Sequence, residues 1–276
     1  MRTILTAALF AGLATAAHAQ LVVGNDQSGT ATIYDVNPIT GVATPIYSGT
    51  GSDAKPWGMA YDASSNTLYW NNGSNLYKAT YGPALAPQLV GTMMFNAATV
   101  NFVGLGFKDG RLYGTRNIAT EAVYEIDPGT LQASQLYVYP SAFDFGGVDF
   151  DPTTGTYYGL SDSAPAGSSI GLYKIDYVGQ TTAFVAPYPA GETDIDGLAV
   201  FNNVAYYVTD GPNNVQPNFY MYDIGTGQLL GTIPSPFTGS GTFAAATWVP
   251  EPATVSLLLL STVVFALVRG IRRCIL

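Results

Sequence analysis

The stretch Trp57-Gly-Met-Ala-Tyr-Asp62 returns along this chain as Val103-Gly-Leu-Gly-Phe-Lys-Asp109, Gly146-Gly-Val-Asp-Phe-Asp151 and Asp196-Gly-Leu-Ala-Val-Phe-Asn202. Each copy has a glycine, then alternating small and apolar residues, then a turn residue. A degenerate fifth copy is Phe243-Ala-Ala-Ala-Thr-Trp248. The glycines at positions 58, 104, 147 and 197 are 46, 43 and 50 residues apart, so the chain repeats a unit of more than forty residues.

Three further strand-like segments follow each of the four complete copies. They are rich in aromatic and β-branched residues, and Gly, Asn, Asp and Pro separate them. The second segments are Thr67–Trp70, Arg111–Gly114, Thr156–Gly159 and Val204–Val208. A four-stranded unit of about 40–50 residues is typical of a β-propeller blade. A β-sandwich also has alternating strands, but it has no recurring unit of this length, so the repeat favours a propeller.

The two ends of the repeat region complement each other. Residues 21–47 read as the second, third and fourth strands of a unit that lacks a first strand, whereas residues 243–248 supply only a first strand. We expect these fragments to form one blade, with the strand at 243–248 paired to the strand at 21–24. The sequence therefore predicts an all-β, five-bladed β-propeller over residues 20–248, closed by its N- and C-terminal strands so that no free sheet edge is left there.

The first 19 residues have the parts of a secretory signal peptide. Arg2 supplies a positive charge, residues 4–17 are apolar, and Ala17-His18-Ala19 fits a cleavage site with small flanking residues. Cleavage after Ala19 makes Gln20 the first residue of the exported chain. The alternative is an uncleaved first transmembrane helix, which the small residues and the Ala-x-Ala site disfavour.

At the other end, residues 249–276 combine a short proline motif, an apolar run and a basic terminus. They contain Pro250, Glu251 and Pro252, then a 16-residue apolar run at 253–268, then Arg269, Arg272 and Arg273. As a helix the run is about 24 Å long, somewhat shorter than a hydrocarbon core of about 30 Å, and the arginines can extend it by reaching the interface. We expect a transmembrane helix at 253–268 with a cytoplasmic C-terminus.

This order of features resembles the PEP-CTERM sorting signal of Gram-negative bacteria. Proteins with that tail are exported, held in the inner membrane and processed by an exosortase-type sorting peptidase. The resemblance implies a membrane-anchored precursor and a final place in the cell envelope or in an exopolysaccharide-rich biofilm matrix. An ordinary anchor that is never cleaved is the alternative. Some proteins with related tails are described as ice-binding, but this chain has no flat Thr-x-Thr ladder, so that likeness concerns the tail alone.

Between its two ends the chain is strongly acidic. Residues 20–248 contain six Lys and Arg and eighteen Asp and Glu residues, a net charge of −12. Because such a surface repels phosphate groups, nucleic acid is excluded as an expected partner.

The same segment has neither cysteine nor histidine, since His18 lies in the predicted signal peptide and Cys274 follows the apolar run. This excludes disulfides, thiolate or imidazole zinc sites, Ser-His-Asp triads and Cys-His dyads from residues 20–248. Carboxylates, tyrosines, a few lysines and backbone groups remain for chemistry, and no cofactor is expected apart from a calcium ion.

One face of the predicted propeller concentrates polar side chains around the channel mouth. It carries the loops before the first strands and the loops between second and third strands. The candidate ligand-binding residues there are Asp53, Trp57, Trp70, Asn71, Asn72, Asp144, Asp162, Asp194, Asp196 and Asp210.

Two interpretations of this face are open. Carboxylates are ligands that Ca²⁺ prefers, which predicts a calcium site at Asp53, Asp144, Asp194 and Asp196, and Trp57 or Trp70 can stack on a sugar ring. Alternatively, Asn and Asp occur there because they form good turns. For the face as a whole we favour binding, because loops on a rigid scaffold commonly carry function. The repeated tyrosines, at 69, 113, 158 and 207, are expected to pack between blades.

The sequence favours a binding or structural role over catalysis, and exopolysaccharide is a candidate ligand that the sequence alone does not identify. The alternative is a carboxylate-dependent glycoside hydrolase or lyase, whose candidate catalytic acids are Asp144, Asp149 and Asp196. Such an enzyme needs a pair of facing carboxylates, and the sequence shows no family signature for one.

Overall fold

The computed structural model of the chain describes residues 19–26, 31–49, 51–116, 121–209, 217–237, 239 and 241–250. The predicted signal-peptide stretch 1–18 and the predicted membrane helix at 253–268 lie outside these residues. Within them the helical content is one 3₁₀ turn, Ser52–Ala54, and no helix is long and apolar enough to cross a bilayer. The described part of the chain is therefore all-β, as predicted.

The strands follow the sequence repeat. The chain begins with β1 (Gln20–Asn25), β2 (Ala31–Val36) and β3 (Ala43–Ser48). Blade 1 consists of β4 (Gly58–Asp62), β5 (Thr67–Asn72), β6 (Asn75–Thr80) and β7 (Gln88–Thr92). A small hairpin follows, made of β8 (Met94–Phe95) and β9 (Ala98–Thr99).

The next two blades and the final strands continue the same order. Blade 2 consists of β10 (Gly104–Lys108), β11 (Arg111–Thr115), β12 (Ala122–Ile126) and β13 (Ala133–Val138). Blade 3 consists of β14 (Phe145–Phe150), β15 (Tyr157–Ser161), β16 (Gly171–Asp176) and β17 (Thr181–Pro187). Blade 4 consists of β18 (Gly197–Phe201), β19 (Val204–Val208), β20 (Asn218–Asp223) and β21 (Leu229–Pro234), and β22 (Phe243–Val249) follows it.

The fifth blade joins the two ends of the domain. Its sheet has the order β22-β1-β2-β3, and β22 runs antiparallel to β1 with Leu21 opposite Trp248 and Val23 opposite Ala246. The predicted pairing of 243–248 with 21–24 is confirmed. The inner strands β4, β10, β14, β18 and β22 contact one another in that order, and β22 also contacts β4. The five blades therefore form a closed ring.

The glycine at the start of the repeated stretch is explained by the narrow centre of the ring. A Cβ added at Gly58 would lie 2.7 Å from the backbone nitrogen of Leu105 in the next inner strand. A Cβ at Gly147 would likewise lie 2.5 Å from the carbonyl oxygen of Asp196. Neighbouring inner strands thus approach more closely than a side chain permits.

Second-strand tyrosines pack between blades, as predicted. Tyr69 stacks on Phe107 of the next blade with ring centroids 5.9 Å apart, and Tyr113 meets Phe150 edge-on at 4.9 Å. In blade 4 the equivalent residue is Tyr206, which stacks on Trp248 at 4.9 Å. Tyr207 instead stacks on Tyr222 within its own blade at 4.6 Å. In blade 4 the residue that packs between blades is therefore Tyr206, one position before the expected Tyr207. Successive residues of a strand face opposite sides of the sheet, so only one of the two tyrosines can take this place.

Candidate functional site

The starts of the inner strands surround a cavity of about 450 Å³. Four blades supply its walls, which identifies it as the mouth of the central channel on the predicted polar face. Its lining residues are Asp26, Trp57, Asn101, Val103, Asp196, Thr242 and Ala244. A cavity of this volume falls within the range of about 300–1,000 Å³ that is usual for small-ligand sites.

Trp57 is the aromatic residue of this cavity, and its side chain is 38% exposed. The six-membered part of the indole packs on the turn between β5 and β6, where a Cβ added at Gly73 would lie 3.0 Å from the ring. The backbone nitrogen of Trp57 donates a hydrogen bond to the carbonyl of Asn71 at 2.8 Å. The ring is thus supported by backbone on one side and reaches the cavity, which is the arrangement of a stacking platform.

Beside the mouth, carboxylate oxygens of Asp162, Asp194 and Asp196 lie within 4.8 Å of one another; we call these three residues the acid cluster. Asp162 comes from the loop after β15, and Asp194 and Asp196 come from the segment before β18. Tyr188 donates its hydroxyl hydrogen to Oδ1 of Asp162 at 2.6 Å, and the backbone nitrogen of Ile195 approaches the same atom at 3.3 Å. These bonds fix Asp162 against the segment that carries the other two carboxylates.

The acid cluster holds a proton near neutral pH. Burial above all, together with the nearby charges of Asp196 and Asp194, raises the pKa of Asp162 to about 8, although the Tyr188 hydrogen bond opposes the shift. The pKa of Asp144 is also raised, by burial and by the charge of Asp194. Like charges at such separations cannot all ionise without cost, so protonated Asp162 shares its hydrogen with Asp194.

The calcium set predicted from the sequence is brought together only in part. Asp194 and Asp196 meet, but the third member of the acid cluster is Asp162, and Asp144 interacts through charge with Asp194. Asp53 belongs elsewhere: its carboxylate accepts a hydrogen bond from Tyr47 at 2.6 Å, where blade 5 meets blade 1. The three clustered carboxylates offer the hard oxygen ligands that suit Ca²⁺.

Two other candidates are buried. Trp70 is completely buried, and its Nε1 donates to the carbonyl of Asp53 at 2.8 Å, so its ring is not accessible to a sugar. Asn71 is also completely buried: it accepts from the backbone nitrogen of Gly58 at 3.0 Å and donates to the carbonyls of Gly73 and Phe102 at 2.8 and 2.6 Å. Both residues connect elements inside the protein.

Asn72 and Asp210 complete the predicted set. The amide of Asn72 donates to the carbonyl of Ser52 at 2.9 Å, and this side chain does not line the cavity. Asp210 lies outside the described residues.

One of the three predicted catalytic acids, Asp149, is inaccessible to a ligand. Asp149 is buried, and its two carboxylate oxygens accept hydrogen bonds from the backbone nitrogens of Phe150 and Val200, each at 2.9 Å. It therefore joins β14 to β18, and burial raises its pKa well above the ordinary value. Asp144 and Asp196 precede these same two inner strands, which are neighbours in the ring.

The sequence analysis did not select Asp26, Asn101 or Thr242, which the structure shows as lining residues. A usable pattern exists: Trp57, Asn101, Val103, Asp196 and Thr242 all lie shortly before the first residues of inner strands. The residues just ahead of each repeat therefore predict the walls of the mouth better than Asn and Asp content does.

Comparisons with known proteins find likeness in structure and none in sequence. No family model and no characterised protein matches the sequence. Among solved structures, the chain is similar to TolB from Acinetobacter baumannii, with a TM-score of 0.47 and 11% sequence identity over 81% of this chain and 54% of the TolB chain. The chain thus spans about half the length of that protein.

Proposed function

We propose that this chain is an exported, envelope- or matrix-associated β-propeller that binds a saccharide at the mouth of its channel. The observation that carries the proposal is Trp57, whose partly exposed indole lies at a cavity of about 450 Å³ and is backed by the turn at Gly73. The hydrogen-bonding groups around it, from Asp26, Asn101 and Asp196, are those that sugar hydroxyls pair with.

Delivery to the envelope is proposed from the two ends of the sequence. A leader cleaved after Ala19 starts export, and the segment at 253–268 then holds the precursor in the inner membrane of a Gram-negative cell. An exosortase-type peptidase acting near Pro250-Glu251-Pro252 releases or transfers the domain.

The binding proposal is tested with the full-length chain in a neutral detergent on a panel of immobilised oligosaccharides. We expect Trp57→Ala to abolish the binding that the wild type shows. The matched control is Phe184→Ala, since Phe184 is exposed to a similar extent on the outer strand β17. Absence of glycan binding by the wild type, or equal loss in both variants, would sink the proposal.

A glycoside hydrolase or lyase is the second candidate, and one observation favours it. The raised pKa of Asp162, about 8, lets it hold a proton beside the carboxylates of Asp194 and Asp196, so the acid cluster offers a proton donor next to proton acceptors. An enzyme of this kind should release reducing ends or unsaturated products from a bound polysaccharide. The variant Asp162→Asn should lose that activity. Binding of the polysaccharide without product formation would contradict the enzyme and leave the proposed binding role in place.

A further inference from the structure

The walls of the channel mouth carry negative charge and an aromatic face. Asp26 and Asp196 are the ionisable residues among the described lining residues, and no described lysine or arginine lines the cavity. Behind Asp196 lie Asp162 and Asp194, with carboxylate oxygens within 4.8 Å of its own. A ligand that enters the mouth therefore meets carboxylates on one side and an indole on another.

This combination discriminates between classes of saccharide. A uronate brings another carboxylate to a mouth whose described walls carry carboxylates and neither lysine nor arginine, so repulsion opposes its binding. An ammonium group forms charge-assisted hydrogen bonds with carboxylates. The same cation is attracted to the face of a tryptophan ring. The carboxylates and the indole at the mouth therefore both favour a positively charged ligand.

Building on the proposed function, we infer that the ligand is a saccharide with free primary amines, such as a chain of 2-amino-2-deoxyhexose units. The ammonium group lies against Asp196 while a sugar ring stacks on Trp57. Asp196 is fixed for this role, since its side chain covers Gly146 of the neighbouring inner strand: a Cβ added there would overlap the Asp196 carboxylate. Neutral sugars use the stacking surface alone and bind more weakly.

The test compares three oligosaccharides of equal length by calorimetry on the full-length chain in detergent: glucosamine, N-acetylglucosamine and galacturonate oligomers. We expect the free-amine ligand to bind at least tenfold more tightly than the acetylated one, and the uronate not to bind. Asp196→Asn should reduce that preference to less than threefold. Asp109→Asn is the matched control, because it removes the same charge from a turn on the opposite face and Asn tolerates the left-handed backbone there (φ 51°).

A second measurement keeps the inference testable if Asp196→Asn proves unstable. Raising sodium chloride from 50 to 500 mM should weaken the wild type's free-amine binding severalfold and leave acetylated binding unchanged, because salt screens charge and not stacking. Equal affinity for acetylated and free-amine ligands, tighter uronate binding, or an equal loss in Asp109→Asn overturns the amine assignment. If one of these ligands still binds through Trp57, the proposed function stands and only the ligand class fails. If none of the three binds, both fail.

Discussion

Asp162 shows at the scale of one residue how the acid cluster affects stability. Its pKa in the folded protein, about 8, lies above the ordinary value of 3.8. Between these two pH values the folded state holds a proton that the unfolded state has released, so the free energy of unfolding falls as pH rises from about 4 to about 8. Asp35, whose pKa burial raises to about 6, acts in the same direction over a lower range.

Asp162→Asn should remove the contribution of Asp162 and leave that of Asp35, because the amide is neutral and its oxygen can still accept from Tyr188. At pH 8.5 the variant should be more stable than the wild type by about 2–3 kcal/mol, or about 5 °C in Tm, with little difference near pH 4. Thermal unfolding from pH 4 to 8.5 measures this. Asp109→Asn should keep the wild-type profile, and an identical profile for Asp162→Asn contradicts the argument.

Calcium binding provides a second test of the acid cluster. A divalent cation relieves the repulsion among the three carboxylates and competes with the proton on Asp162. If it binds only the folded state, a hundredfold excess over Kd stabilises that state by about 2.7 kcal/mol. We expect millimolar Ca²⁺ to raise Tm at pH 8 and the double variant Asp194→Asn with Asp196→Asn to abolish the rise. An unchanged wild-type Tm contradicts a calcium site.

Asn71 is the other residue whose substitution gives a clear result. Asn71→Ala removes the side-chain partner of the Gly58 amide and of the Gly73 and Phe102 carbonyls, which should cost about 2–4 kcal/mol. The Gly73 carbonyl keeps one hydrogen bond, from the backbone nitrogen of Phe102 at 3.1 Å. Asn72→Ala loses one hydrogen bond in a less buried place and should cost about 1 kcal/mol. Urea unfolding of the two variants measures the difference, and equal stability of the two would show that the Asn71 bonds contribute little.

Asn71 and Asn72 also show how much of the site could be predicted from the sequence. The repeat placed Asn71 near the correct face of the propeller, but a strand position does not reveal whether an amide side chain points outward or into the junction between blades. Trp70 and Asp149 were misjudged for the same reason. Trp57 was found because it directly precedes an inner-strand glycine, and that position is fixed by the repeat.

At the scale of elements, the strand β22 has the most consequence for the fold. It pairs with β1 along its length and contacts the inner strands of two neighbouring blades. Deleting residues 243–249 should therefore open the ring and lower Tm of the whole domain by more than 10 °C, since an unpaired edge and several buried residues are exposed together.

The hairpin of β8 and β9 offers a control for that deletion. It lies outside the four-stranded sheets and has two anchors on blade 2. The backbone nitrogen of Met94 donates to the carbonyl of Leu131 at 2.9 Å, and Phe95 packs edge-on against Tyr124 at 5.1 Å. Replacing residues 94–99 with two glycines should lower Tm by only a few degrees and leave one cooperative transition. A larger effect here than for the deletion of β22 contradicts the view that closure governs stability.

The elements were predicted well where the repeat governs them. Every blade forms from the predicted segments, because the glycine-led inner strand and the following aromatic strands recur with one period. The hairpin at 94–99 was not foreseen: each of its strands has two residues, which is too short for an alternating pattern to be recognised. Asn96 and Ala97 in its turn both have positive φ, and of the two only Asn is a residue type that favours this backbone.

On the scale of the whole molecule, ring closure places both ends of the domain together. Gln20 is opposite Val249 in the pairing of β1 with β22. Cleavage after Ala19 and near Pro250-Glu251-Pro252 would therefore cut just outside the paired strands. Processing at both ends should leave each described blade intact and the Tm of the domain unchanged.

The last prediction concerns the tail, and Cys274 makes it measurable because it is the only cysteine in the chain. We expect protein isolated from its native envelope to begin at Gln20, to end near residue 250 and to react with no thiol label, since the tail has been removed. Changing Pro250, Glu251 and Pro252 to alanine should block the second cut without affecting the first. The product should then keep Cys274 and the three arginines, and intact mass together with maleimide labelling will separate the two species. Wild-type protein that starts at Gln20 and still carries Cys274 would identify the tail as a permanent anchor, because leader processing would then have occurred without sorting.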